Sequence, residues 1–256
     1  ELLQGMLGST ILGFHTPFHC KNFLETVDRY LETRIEPESS TIFHGGQLTM
    51  VEDYPISIQW PPPWQGSVPP TAQTRHEILA ELQLPEQHLL GIGVDRMDYT
   101  KGILERFSAV ERLFELHPEL VGRFTFVQIA APSRSALDEY KNFEQRVAAL
   151  TERINRRFSH NGMPAIILKA EHHEPEQVNR YYRASDVCMV TSLHDGMNLV
   201  AKEYVAARDD EQGVLILSQF TGAANELHAA LIVNPYHVEQ TAEALYQGLT
   251  MPAYEQ

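Results

Sequence analysis

Strand-like and helix-like patterns of apolar positions alternate along most of the chain. Short runs that are apolar throughout, or at every second position, predict strands, and apolar residues spaced three to four apart predict helices. The predicted strands are residues 10–14, 89–94, 123–130, 165–169, 186–191, 214–218 and 231–234, with a further pair at 41–44 and 48–51. The predicted helices are residues 18–31, 72–82, 102–116, 135–158, 175–184, 199–208 and 238–249.

This alternation predicts an α/β fold with a parallel sheet that is covered by helices on both faces. A proline-rich stretch at residues 60–70 interrupts it, because proline lacks the backbone N–H and fixes φ. We predict that residues 59–71 link two domains, and a proline-rich recognition ligand is the less favoured alternative. Residues 1–58 are too few for an independent α/β domain, so they are predicted to end one domain, and residues 72–256 to form most of a second.

The composition is that of a globular protein with an acidic surface. Of 256 residues, 43% are hydrophobic and 21% are charged. The formal net charge of −14 argues against a nucleic-acid partner, because binding many phosphates requires a basic surface. No apolar run approaches the roughly 18 residues of a membrane span, so no membrane partner is expected.

The cysteines and histidines indicate a reduced protein without a metal centre. Cys20 and Cys188 are too few for a disulfide framework, and no signal peptide is evident at Glu1, so a cytoplasmic location is predicted. His172 and His173 are adjacent, but no second pair or cysteine cluster stands at ligand spacing, so no metal is predicted. The sequence does not specify an oligomeric state, and a homo-oligomer is compatible with it.

The stretch Asp195-Gly-Met-Asn-Leu-Val-Ala-Lys-Glu203 connects a predicted strand to a predicted helix through a glycine turn. The first N–H groups of a helix lack internal partners, and the helix dipole favours an anion there. Asp195 precedes that anion position, and Glu203 lies one turn into the helix on the face of Leu199. This arrangement suits a phosphorylated sugar ligand, and an ordinary helix start with an acidic first turn is the alternative.

Two cations flank a loop at the end of another predicted strand, in Gly93-Val-Asp-Arg-Met-Asp-Tyr-Thr-Lys-Gly102. Arg96 supplies a planar fork and Lys101 a mobile point charge, so together they could clamp a diphosphate. The alternative is structural: Arg96 pairs with Asp95 or Asp98, Lys101 is solvated and Thr100 caps the helix.

Two further stretches show the same strand-to-helix arrangement. In Gln128-Ile-Ala-Ala-Pro-Ser-Arg134, Ser133 is a natural helix cap, and an arginine at a helix start is better explained by an anionic ligand than by stability. In Leu217-Ser-Gln-Phe-Thr-Gly-Ala-Ala-Asn-Glu226, small residues would let the backbone approach a ligand, although packing alone explains them nearly as well.

Together these motifs, with Ile232-Val-Asn-Pro-Tyr236, resemble the trehalose-6-phosphate synthases, which are retaining glycosyltransferases of family 20. The resemblance runs from about residue 7 to residue 251. It implies the GT-B fold: residues 1–58 would end an acceptor-side Rossmann-like domain, and residues 72–256 would form the donor-binding one. The implied reaction moves glucose from UDP-glucose to glucose 6-phosphate with retention, giving trehalose 6-phosphate and UDP.

The resemblance also implies the roles of individual residues. Arg96 and Lys101 would hold the diphosphate and stabilise the departing UDP, and Arg134 would grip the phosphate of the acceptor. Glu203 would bind the ribose hydroxyls, and Asp195 would position the donor glucose rather than act as a nucleophile. The other implied donor contacts are His173, through its backbone beside the uracil, and Gly196, Met197, Asn198, Leu199 and Val200. No cofactor or metal is implied.

Three alternatives remain open. These are a glucosylglycerol-phosphate synthase, a non-catalytic nucleotide-sugar-binding module, and a sugar phosphorylase that uses pyridoxal phosphate. The arginine motif that ends at Arg134 and the presence of Met197 disfavour the first. The chain also departs from the family. His194 replaces a common arginine, residues 56–60 differ at the domain junction, and the first domain's glycine-rich loop is absent. We therefore expect a fragment, truncated at both ends, that binds UDP with little or no turnover.

Overall fold

The computed structural model describes residues 1–63, 66, 68–133 and 138–256. The helices are α1 Leu2–Met6, α2 Pro17–Tyr30, α3 Thr71–Glu81, α4 Ile103–Leu116, α5 Asp138–Phe158, α6 Pro175–Ala184, α7 Leu199–Ala207 and α8 Val238–Thr250. The strands are β1 Ile11–Phe14, β2 Arg34–Glu36, β3 Thr41–His44, β4 Gln47–Asp53, β5 Leu89–Arg96, β6 Phe124–Ala131, β7 Ile166–Lys169, β8 Val187–Val190, β9 Val214–Ser218 and β10 Leu231–Val233. Short 3₁₀ turns lie at Tyr99–Lys101, Pro118–Leu120 and Gly222–Asn225.

The chain divides into two compact units, Glu1–Ser57 and Ile58–Gln256. Within the described residues, the first unit holds a mixed sheet in the order β1-β4-β3-β2, in which β1 and β4 are parallel and the remaining pairs are antiparallel. Its core consists of Leu7, Cys20, Phe23, Val27, Ile42 and Val51. The apolar face of α2 supplies three of these residues, so the helix packs against the sheet.

Six of the described strands form the sheet of the second unit, in the order β10-β9-β8-β5-β6-β7. All neighbouring pairs are parallel. One face packs against α4, α5 and α8 through residues such as Phe107, Phe143 and Leu245. The other face packs against α3, α6 and α7 through residues such as Ile78, Tyr182 and Ala201. The predicted α/β class, with a parallel sheet covered on both faces, is confirmed.

The predicted elements are present, with changes at their ends. β5 continues to Arg96, beyond the predicted end at residue 94, because it pairs with β6 as far as Ala131. The predicted helix at 102–116 begins at Ile103, because Gly102 adopts the left-handed conformation. The pattern missed α1 and β2, which are only five and three residues long. The predicted start of the helix at 135 lies outside the described residues.

The assignment of residues 1–58, 59–71 and 72–256 to two domains and a linker stays a prediction. Both cysteines are buried free thiols. Among the described residues, no helix combines the length and the hydropathy needed to cross a membrane.

Candidate active site

The order of the strands places a crevice between β5 and β8. The chain moves outward from β5 through β6 to β7, then returns to the other side of β5 at β8 and continues to β9 and β10. Loops at the carboxyl ends of the two strands at such a reversal diverge, and the opening between them is where doubly wound sheets bind ligands. The motif at 93–102 follows β5 and the motif at 195–203 follows β8, so both border this crevice.

Backbone contacts join these two loops. The N–H groups of Leu193 and His194 donate to the carbonyl of Thr100, over 2.8 Å and 3.4 Å. Gly102 has φ +67°, and a Cβ atom there would stand 2.3 Å from the carbonyl oxygen of Thr191. A side chain at Gly102 would therefore force the loops apart.

An ion pair lies at the point where the loops meet. The ammonium Nζ of Lys101 donates to Oδ2 of Asp195 over 2.6 Å, and the two side chains are 17% and 14% exposed. The side-chain amide of Asn198 donates to the same oxygen over 3.1 Å, and the N–H of Met197 donates to Oδ1 over 3.4 Å. Lys101 is not solvated, so that part of the structural alternative is wrong.

The start of α7 is suited to an anion. Asn198 stands at the N-cap with φ +71°, and no side chain of the described residues caps the helix. The backbone N–H groups of Leu199 and Val200 follow directly, and such groups lack partners inside the helix. Oδ1 of Asn198 is buried without a hydrogen-bond partner in the described part of the chain. A buried acceptor of this kind is costly unless a ligand donates to it.

The residues after β9 pack against the motif at 195–203. The N–H of Gly222 donates to the carbonyl of Asp195 over 3.1 Å, and the N–H of Ala223 donates to that of Met197 over 2.8 Å. A Cβ atom on Gly222 would lie 2.1 Å from the carbonyl oxygen of Gly196. The small residues of this fourth motif therefore permit close backbone packing that holds the Asp-Gly turn in place.

A fully buried arginine lies below the crevice. Arg106 of α4 donates from Nη1 to Oδ2 of Asp95 over 2.5 Å and to the side chain of Gln128 over 2.7 Å. It also donates from Nε to the hydroxyl of Thr191 over 3.0 Å and from Nη2 to the carbonyl of Lys101 over 3.2 Å. Burial raises the pKa of Asp95, and the guanidinium opposes that shift. This network connects β5, β6 and β8 to the backbone that carries Lys101.

Arg106 is not among the predicted site residues, although the sequence carries a signal for it. Arg106 lies on the apolar stripe formed by Ile103, Phe107 and Val110, which are all fully buried. A charged residue on the buried face of an amphipathic helix requires a buried partner, because an unpaired interior charge is very costly. The sequence pattern therefore predicts a buried acidic partner for Arg106, and the structure identifies it as Asp95 at the end of β5.

Arg96 is the more exposed of the two predicted cations. Its side chain is 57% exposed and approaches Oδ2 of Asp98 to 3.9 Å. Asp98 in turn accepts hydrogen bonds from the N–H and the hydroxyl of Thr100, both over 2.9 Å. Asp98 therefore caps the 3₁₀ turn. The N-cap of α4 is Gly102, so the alternative in which Thr100 caps the helix is wrong. Asp95 is bound to Arg106, so the remaining structural partner of Arg96 is Asp98.

Glu203 lies one turn inside α7 and is half-buried. The hydroxyl of Tyr182 donates to its Oε2 over 3.1 Å. Burial raises the pKa of Glu203, and this hydrogen bond opposes the shift.

His173 lies at the carboxyl end of β7, on the flank of the crevice. Its Nδ1 is 3.2 Å from the carbonyl oxygen of Glu171, and its ring packs edge-on against Tyr181 with 6.3 Å between ring centroids. It borders a cavity of about 300 Å³ together with Lys169 and Arg180. Local contacts therefore occupy the His173 side chain.

Arg134, the predicted acceptor residue, lies outside the described residues, which stop at Ser133 and resume at Asp138.

These features define a class of protein. A parallel α/β unit with a helix N-terminus, a partly buried ion pair and an exposed arginine at the strand reversal has an arrangement suited to phosphorylated, hydroxyl-rich ligands. The model of glycosyltransferase family 20 matches residues 1–256, so the chain belongs to that family.

Individual relatives agree with this membership. The chain is 39% identical over 251 residues to the UDP-forming α,α-trehalose-phosphate synthase of Pichia angusta, covering 98% of this chain and 52% of that protein. A structure of trehalose-6-phosphate from E. coli bound with UDP-2-fluoro glucose is 36% identical, with a TM-score of 0.91 over 99% of this chain and 56% of that chain. The UDP-forming α,α-trehalose-phosphate synthase of Burkholderia xenovorans, in complex with glucose-6-phosphate, is 34% identical, with a TM-score of 0.89 over 99% and 57%.

The chain spans about half the length of the curated relatives it matches. The likeness to these solved structures confirms the predicted GT-B fold class and the family resemblance.

Proposed function

We propose that this chain is the donor-binding part of a UDP-forming trehalose-phosphate synthase. The enzyme would transfer glucose from UDP-glucose to glucose 6-phosphate with retention of configuration, giving trehalose 6-phosphate and UDP. The observation that carries this proposal is the Lys101–Asp195 pair beside the start of α7, where a cation, an anion site and a hydroxyl-binding carboxylate meet. The relatives favour it over a glucosylglycerol-phosphate synthase or a pyridoxal-dependent phosphorylase, because they are UDP-forming trehalose-phosphate synthases.

In the proposed mechanism, the protein stabilises negative charge that develops on the departing diphosphate. The N–H groups of Leu199 and Val200 would donate to phosphate oxygens, and Lys101 and the exposed Arg96 would add positive charge. Such prearranged donors act mainly in the transition state, where the charge is largest. Arg96 and Lys101 supply the positive charge, so the proposal includes no cofactor and no metal.

The remaining residues position the two sugars and the base. Asp195, held by Lys101 and Asn198, orients the hydroxyls of the donor glucose together with the backbone of residues 196–198. Glu203 binds the ribose, and the backbone of His173 meets the uracil. Arg134 remains the proposed phosphate-binding residue for the acceptor.

We also propose a cytoplasmic location with small-molecule partners only. The two free cysteines support a reducing compartment. A homo-oligomer remains compatible with the sequence, and size-exclusion chromatography with light scattering would decide it.

Calorimetric titration of the chain with UDP, UDP-glucose, GDP-glucose and ADP-glucose tests the proposal. Uridine nucleotides should bind more tightly than the other two, and Arg96→Ala and Glu203→Ala should each weaken binding about 10-fold or more, because each removes a charged hydrogen-bonding group. Arg34→Ala and Glu36→Ala are matched controls, since that exposed pair lies in the first unit. Absence of nucleotide binding, or equal losses in the controls, would overturn the proposal.

A further inference from the structure

Glu203 is a half-buried carboxylate without a cationic partner. Within the described part of the chain no lysine, arginine or histidine nitrogen lies within ion-pair distance, and the Tyr182 hydroxyl is its hydrogen-bond donor. Oε2 accepts that bond, while Oε1 accepts none from the described residues. A charge that is removed from water without a counter-charge destabilises the fold. A role in ligand recognition therefore explains Glu203 better than a contribution to stability does.

Tyr182 is placed to hold this carboxylate still. It lies near the end of α6, is 2% exposed, and its ring packs edge-on against Tyr204 with 6.1 Å between centroids. Side chains on a helix lean toward its N-terminus, so both Tyr182 and Glu203 lean toward the carboxyl edge of the sheet. A tyrosine has few rotatable bonds, and burial removes most of the remaining freedom.

We propose that Tyr182 is a positioning residue for the nucleotide, fixing Oε2 of Glu203 so that Oε1 receives the ribose hydroxyls of the donor. The inference rests on the proposed function, because it assigns the ribose to Glu203. Tyr182 does not touch the ligand, and its contribution passes through the carboxylate. Without the hydroxyl, Glu203 would sample several rotamers, and each ribose contact would require it to be ordered again.

The hydrogen bond also affects ionisation. Burial raises the pKa of Glu203, and the bond from Tyr182 opposes that effect. The other titratable groups near this pair are Tyr204 of α7, which packs against Tyr182, Cys188 of β8 and, beyond Tyr182, Asp95 of β5. Glu203 must be ionised to accept two hydroxyl protons, so UDP binding should weaken as pH falls through its pKa. Removing the Tyr182 hydroxyl should move that weakening to higher pH.

The test measures Kd by calorimetry for UDP and for 2′,3′-dideoxy-UDP, which lacks both ribose hydroxyls. Tyr182→Phe should weaken UDP binding about 5- to 10-fold and leave the Kd of dideoxy-UDP unchanged. The expected loss is smaller than for a direct hydrogen bond to a charged group, because Tyr182 acts on the ligand only through Glu203. Tyr54→Phe is the matched control, because this tyrosine also donates its hydroxyl to a glutamate, Glu52, and belongs to the first unit, which holds none of the described residues assigned to the donor. This control should change neither the Kd of either ligand nor the pH dependence of UDP binding.

A second variant guards against a general folding defect. In a Glu203→Gln background, Tyr182→Phe should produce a much smaller further loss, since the residue it positions no longer carries the charge. Equal weakening of both ligands, full additivity of the two substitutions, or an unchanged Kd for UDP would each overturn the inference. If the wild-type chain binds no uridine nucleotide, the proposed function fails instead, so the two failures are distinguishable.

Discussion

At the scale of single residues, the ion pair between Lys101 and Asp195 is the central contact of the site. Both side chains are largely shielded from water, and their atoms approach to 2.6 Å. Exposed ion pairs contribute little, but a shielded pair is strongly coupled, because removing one partner leaves the other charge uncompensated. The pair therefore keeps the ammonium of Lys101 and the carboxylate of Asp195 in fixed geometry before any ligand arrives.

Lys101→Met should lower the affinity for UDP by about 10- to 100-fold, because it removes a charged donor and leaves Asp195 unpaired. Calorimetry with UDP measures the loss. Lys141→Met is the matched control, since Lys141 is 56% exposed and 3.8 Å from Asp138 on the surface of α5. Wild-type affinity in the Lys101 variant would show that this residue does not hold the diphosphate.

At the scale of secondary-structure elements, the turn into α4 depends on the backbone of Gly102. This residue has φ +67° and lies against the carbonyl of Thr191 at the end of β8. The close approach brings the loop carrying Lys101 to the loop leading to Asp195. The ion pair therefore depends on the close approach of the two loops as well as on the charges of Lys101 and Asp195.

Gly102→Ala should reduce the free energy of unfolding by more than Gly162→Ala, and should also weaken UDP binding. Gly162 has φ +81° but open space around its Cβ position, so alanine there should cost about 1 kcal/mol from backbone strain alone. Alanine at position 102 would add to this strain a clash between its Cβ atom and the carbonyl oxygen of Thr191. Urea unfolding and calorimetry of both variants separate the two effects, and equal behaviour would contradict the importance of the close approach.

At the scale of the whole molecule, the acidic charge makes local features decisive. With a formal net charge of −14, the overall field opposes an anionic nucleotide. The candidate site compensates with two cations and a helix N-terminus gathered at one edge of the sheet. All of the described residues that are proposed to bind the sugar donor belong to the unit Ile58–Gln256.

UDP should therefore slow amide hydrogen exchange in residues 96–102 and 194–203 and leave residues 1–57 unchanged. Ligand at 100 times its Kd stabilises the form that binds it by about 2.7 kcal/mol, which is ample for detection. Exchange measured by mass spectrometry on the intact chain checks this. Protection spread equally over both units would argue against a site confined to the second one.

Much of the fold could be predicted because its causes are local. Apolar periodicity located the strands and helices of the parallel unit, and the glycine turns marked where strands give way to helices. The short elements α1 and β2 were missed because so few residues show no period. The position of Arg106 on the apolar face of α4 indicates a buried partner but not which residue it is, and Tyr182 resembles an ordinary helix residue. Neither local pattern could identify the partners, Asp95 and Glu203, because these depend on how β5 and α7 pack against the helices.

The sequence by itself determined the alternation of elements, the class of fold and the strand-to-helix turns that carry the candidate site residues, because periodicity, turn residues and helix starts act over a few neighbouring positions. Only the tertiary structure decided that β5 lies beside β8, that Lys101 pairs with Asp195, and that a buried arginine and a buried tyrosine support the site. Strand order and buried partners depend on packing between residues far apart in the chain, and that energy has no local signature.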